Sequence, residues 1–75
     1  MKTKKQIIEY FTTELENLSF NTTHARMLKD DKLIINLENK AEIIARIAIY
    51  LGVPSLELMK ANDKGYQSYL IESKR

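Results

Sequence analysis

The chain has 75 residues, with 12 Lys and Arg against 10 Asp and Glu and no cysteine. That length makes one small domain, residues 1–75, and the missing thiols exclude a disulfide framework and any thiolate metal site. The net charge of +2 falls short of the clear basic excess usual in nucleic-acid binders. With Lys2, Lys4 and Lys5 at one end and Lys74 and Arg75 at the other, it accounts first for solubility.

Residues 3–18 carry Ile7, Ile8, Phe11, Leu15 and Leu18 at helical spacing, with Thr3 placed to cap the start. Ser19, Asn21, Thr22 and Thr23 then read as a polar break with good cap chemistry.

Residues 23–38 admit two readings. In one, Ala25 and Met27 alternate on a strand, Leu33, Ile35 and Leu37 alternate on the next, and Lys29-Asp30-Asp31-Lys32 turns between them, giving an α+β fold with a hairpin at about 22–38. In the other, a short helix covers about 23–29, a second begins at Asp30 or Asp31, both competent caps, and the domain is all-α. The stripe Ile34, Leu37, Ala41, Ile44, Ala48, Leu51 steps by three and four and favours the helix. Asn39-Lys40-Ala41-Glu42 has capping-box chemistry and predicts a break near 38–40.

Helix 40–51 is apolar round most of its circumference, which predicts the most buried element of the domain or a subunit contact. Gly52 ends it. Pro54 suits the turn or the first turn of the next helix, and Ser55 opens a short helix over 55–61. Asn62-Asp63-Lys64-Gly65 reads as a turn. The tail from Tyr66 to Ser73 is expected to be a last helix, with an edge strand as the alternative. No run approaches the roughly 18 apolar residues of a membrane span. No apolar segment of leader length follows the first lysines, so a cytoplasmic location is expected.

The stretch 41–59, AEIIARIAIYLGVPSLELM, resembles the closing helices of the phage-repressor-like (Cro/C1, XRE-type) helix-turn-helix family. Ile47-Ala48, Leu51-Gly52-Val53 and Glu57-Leu58-Met59 carry the likeness. Upstream, Ile35-Asn36-Leu37-Glu38-Asn39 resembles the Glu-Asn end of that family's recognition helix. Leu18-Ser19 resembles the dipeptide before its second helix, so the likeness spans about 18–59. Where the family has Gly-Val-Ser, this chain has Leu28-Lys29-Asp30-Asp31, and the loop after Glu38-Asn39 is nearly absent. The resemblance implies a small all-α transcriptional regulator that binds DNA as a dimer.

Helices 40–51 and 55–61 can also be placed as the DNA-reading pair. Ala48 then sits at the helix crossing, Gly52 makes the turn, and Val53 and Leu58 lock the second helix down. Ser55, Lys60, Asn62 and Lys64 become the candidate DNA contacts, Asn62 for an adenine edge and the lysines for guanine or phosphate. Leu56 and Met59 would be exposed on the same surface, which suits a regulatory protein partner better than a base edge. The alternative function is therefore a non-enzymatic interaction regulator or inhibitor.

His24 is the only histidine and reads as a surface or cap-region residue. Asp30-Asp31 reads as a cap, and the four tyrosines as packing residues. No phosphate-binding glycine loop, nucleophile elbow or metalloprotease motif is present. No catalysis, cofactor, metal or small-molecule substrate is expected. A core this small needs supplementing, and without disulfide or metal a homodimer is the expected supplement. Helix 40–51 is the first candidate contact and tail 66–71 the second.

Overall fold

Thr3 starts the first helix as its spacing predicts. Its hydroxyl accepts from the Gln6 N–H at 3.2 Å, and the Gln6 side chain accepts from the Thr3 N–H at 2.9 Å. This closed capping box satisfies two donors that helix geometry leaves free. The computed structural model describes residues 2–74, so Arg75 of the terminal basic pair lies outside it. Three helices make the fold: α1 (Lys4–Met27), α2 (Asp31–Tyr50) and α3 (Ser55–Ser73). It is all-α, with no strand among the described residues, so the hairpin alternative at 22–38 is overturned.

α1 does not stop at Leu18. It runs through the expected polar break because those hydroxyls find partners inside the fold. Thr22 donates to the Leu18 carbonyl at 2.6 Å, Thr23 to the Ser19 carbonyl at 2.8 Å, and Ser19 to the Asn62 carbonyl of α3 at 2.5 Å. All three residues are buried. Once bonded, a buried hydroxyl carries little desolvation penalty, and its small side chain lets helices approach closely.

Both inter-helix turns are Schellman motifs. After α1, the Lys29 N–H donates to Arg26 and the Asp30 N–H to Ala25, with Lys29 at φ 56°. After α2, the Gly52 N–H donates to Ile49 and the Val53 N–H to Ala48, with Gly52 at φ 94°. The left-handed residue lets the chain reverse while the last carbonyls are still satisfied. Asp30 caps α2 by accepting from the Leu33 N–H at 3.2 Å.

α2 is one helix, and the break expected near 38–40 does not occur. The Asn39–Glu42 box lies inside an unbroken apolar stripe, and burying that stripe against α1 outweighs a local cap worth about 1 kcal/mol. The stripe is Ile34, Leu37, Ala41, Ile44 and Ala48. Segment 40–51 is not the most buried element, however. Ala48 alone in α2 is fully buried, while Ile43, Ile47, Ile49, Tyr50 and Leu51 are exposed.

α3 continues through Asn62–Gly65, where a turn was expected, and takes in the tail. Pro54 occupies its N-cap position. Gly65 is a packing residue rather than a turn. A Cβ built there would lie 2.3 Å from the Glu16 carbonyl oxygen and 2.7 Å from the Ser19 Cβ.

α1 is the central helix. α2 runs antiparallel to it and α3 parallel to it, and α2 and α3 barely touch each other. Leu15, Ala48, Val53, Leu58 and Ala61 form the core, flanked by half-buried Ile7, Ile8, Phe11 and Ile44. Among the described residues, only Leu15, Val53 and Leu58 of the buried apolar side chains are larger than alanine. At about 1.5–3 kcal/mol for each large buried side chain, this is a thin core.

Candidate interaction surface

The residues singled out on α3 fold into two different places. Ser55 is its first residue and is exposed. Lys60 lies 3.9 Å from the Glu57 carboxylate one turn back, and Lys64 lies 3.8 Å from Glu16 of α1. Both lysines line a shallow groove between α1 and α3, together with Thr12 and those two glutamates. Each cation thus faces an anion. Exposed pairs of this kind add about 0–1 kcal/mol, and they lower the positive potential a phosphate would meet.

Asn62 lies round the helix from the lysines, on the side that faces α2. Its carbonyl accepts the Ser19 hydroxyl, and the Asp63 carboxylate lies beside it. Ser55, Lys60, Asn62 and Lys64 therefore do not form one continuous face. The helical period explains the split: Lys60 and Lys64 share a side at i, i+4, whereas Asn62, two residues from each, points elsewhere.

Leu56 and Met59 do come together. They are 58% and 67% exposed, one turn apart on the outer side of α3. Among the described residues, Leu56 and Met59 stay largely open to solvent.

Sequence reasoning did not find a cleft of roughly 420 Å³ that opens between α2 and α3. Ser19, Thr22 and Thr23 of α1 form its floor, and Ala41, Asn62 and Tyr66 line its sides. Arg26 and Glu38, paired at 3.2 Å, stand at one end. The signal was present: hydroxyl residues at 19, 22 and 23 share one helical face by their i, i+3, i+4 spacing. Its floor hydroxyls all donate to backbone carbonyls, so the cleft offers no free donor from them.

His24 is exposed in the last turn of α1, its Nδ1 3.0 Å from the Tyr69 hydroxyl. Tyr69 also stacks edge-on with Phe20, centroids 5.3 Å apart. These aromatic contacts tie the end of α3 to α1. Among the described residues, no three acidic or histidine side chains converge, and no helix is long and apolar enough to cross a membrane. Comparison with models of protein families, with curated proteins and with solved structures finds no match for this chain.

Proposed function

We propose that this chain is a non-enzymatic interaction module, a small cytoplasmic regulator or inhibitor that binds a protein partner and works as a homodimer. The observation that carries this reading is the contrast along α3. Leu56 and Met59 stand uncovered on its outer side, while Lys60 and Lys64 each face a carboxylate. Exposed Leu and Met side chains one turn apart are the usual anchors of helix-in-groove recognition. The near balance of charge supports the same reading, because a DNA surface needs unopposed cations.

The second reading is a DNA-binding regulator of helix-turn-helix type. What favours it is the Gly52 turn, which joins two helices as that motif requires. Against it stands the scarcity of close backbone approaches between α2 and α3, since the paired helices of the motif brace each other.

Titration with random-sequence duplex DNA at low and at high salt separates the two readings. No affinity at low salt is the expected result. Salt-sensitive binding that Lys60→Ala and Lys64→Ala weaken would overturn the proposal in favour of DNA.

A further inference from the structure

The molecule exposes more surface than its mass warrants. Its accessible area is 5805 Å², whereas a folded monomer of 8.8 kDa typically exposes about 4,800 Å². The excess of about 1,000 Å² slightly exceeds the area of about 800 Å² that one partner contributes to a stable interface. Exposed apolar side chains lie along α2 and at its C-cap. Ile43, Ile47, Tyr50 and Leu51 are 58%, 47%, 81% and 52% exposed, and steps of three and four place them on one flank. Glu38 lines the cleft toward α3. Ile47, about two and a half helical turns further along, points the opposite way. This flank is therefore separate from the α3 surface assigned to a partner.

We infer that the occupant of this flank is a second copy of the chain, its α2 antiparallel to the first about a two-fold axis near Ile47. This rests on the dimer reading above and gives it an interface. In a two-fold contact each residue near the axis meets its own copy, so a charge there would meet a like charge. Between Ile43 and Ser55 the only charged residue is Arg46. Arg46 is paired with Glu42 at 2.6 Å, and Glu42 follows the cleft residue Glu38 by one turn, on the far side from Ile47. Ile43 and Leu51 lie symmetrically four residues either side of Ile47. An axis there sets Ile43 against Leu51 of the second copy, and the reverse. Lys40, at the edge of the stripe, would lie about 20 Å from its own copy, beyond the reach of its field at physiological salt. A different apolar protein would fit the same side chains, but it has no need of a charge-free, symmetric stripe.

The test is the mass of the full chain in solution, by sedimentation from about 1 to 100 µM, for the wild type and three variants. The wild type sediments as a dimer. Ile47→Glu, a change at an exposed position, raises the dimer dissociation constant by at least about 100-fold while circular dichroism remains that of the wild type. Leu56→Glu on α3 leaves the dimer intact. Ile47→Cys supplies the sole thiol in the chain, and a short bismaleimide links it to its own copy. A wild type that stays monomeric at 100 µM overturns both the dimer reading and this interface. A wild-type dimer that Ile47→Glu leaves intact keeps the dimer but removes it from this flank. A dimer in which Ile47→Cys fails to cross-link removes the axis from Ile47. If Ile47→Glu does not fold, Leu51→Glu and the cross-link decide in its place.

Discussion

Gly65 and Ser19 set the distance between α1 and α3. A methyl group on Gly65 would lie 2.7 Å from the Ser19 Cβ and 2.3 Å from the Glu16 carbonyl oxygen. The Ser19 hydroxyl meanwhile holds the Asn62 carbonyl at 2.5 Å. Contact and hydrogen bond are made one helical turn apart on α3.

Gly65→Ala should therefore destabilise the fold even though alanine is the better helix former by about 1 kcal/mol. Neither the Glu16 backbone nor the helix behind it can yield cheaply, and overpacking of this kind costs about 1–3 kcal/mol. Ser19→Ala removes one hydrogen bond without adding volume and should cost about 1 kcal/mol. Urea unfolding followed by circular dichroism ranks the two. Gly65→Ala as stable as the wild type would show that α3 is not seated so closely.

Gly52 gives the opposite case. Nothing lies within 4 Å of a Cβ built there, so Gly52→Ala costs only the backbone conformation, about 1–2 kcal/mol. Lys29 already bears that cost at φ 56°. Lys29→Gly should raise stability by up to about 1 kcal/mol, the relief of left-handed strain being partly offset by the freer unfolded chain. The sign of the change in unfolding midpoint is the measurement. A loss of stability in Lys29→Gly would contradict the turn geometry.

Asp30→Ala removes the only side-chain cap of α2 and should cost about 1 kcal/mol, with Asp30→Asn close to the wild type. Asp31→Ala, one position on, should cost less, because Asp31 contributes only its charge near the helix N-terminus. Equal losses at both positions would mean that the cap is not set at Asp30.

Leu56→Ala and Met59→Ala should leave unfolding free energy within about 0.5 kcal/mol of the wild type, as substitutions on an uncovered surface do. Once a partner is purified, the same changes should weaken its binding by about 1–3 kcal/mol, with little dependence on salt. Large losses of stability would place these side chains in the core and not on a recognition surface.

The parts of this fold legible in the sequence are those whose cause is local. Thr3 and Gln6 are three residues apart, Gly52 announces a left-handed turn by its identity, and the stripe from Ile34 to Ala48 carries its own period. Lys29 adopts the same conformation as Gly52 without the residue type that signals it, so the first turn was harder to place than the second. Gly65 carries a turn signal in the sequence because its reason for being glycine, the α1 backbone at Glu16, is remote along the chain. The hydroxyls of Ser19, Thr22 and Thr23 look like a break in the sequence because their burial depends on the fold closing around them. For the candidate site, the exposure of Leu56 and Met59 was legible from their spacing. The pairing of Lys64 with Glu16 was not, because it exists only after α3 docks.

The helix contact fixed by Gly65 joins α1 to α3, the two helices farthest apart along the chain. A chain growing from its N-terminus makes α1 and α2 first, and their shared turn is a short loop that closes at little entropic cost. The α1–α2 pair alone, however, lacks Val53, Leu58 and Ala61, most of the core. Until Gly65 is added and can settle against Glu16, the nascent chain keeps the polar face of α1, with Ser19, Thr22 and Thr23, open to water. Synthesis of the final helix is thus the step that commits the chain to its fold, and a product truncated before Gly65 would be a substrate for proteases and not a smaller version of the protein.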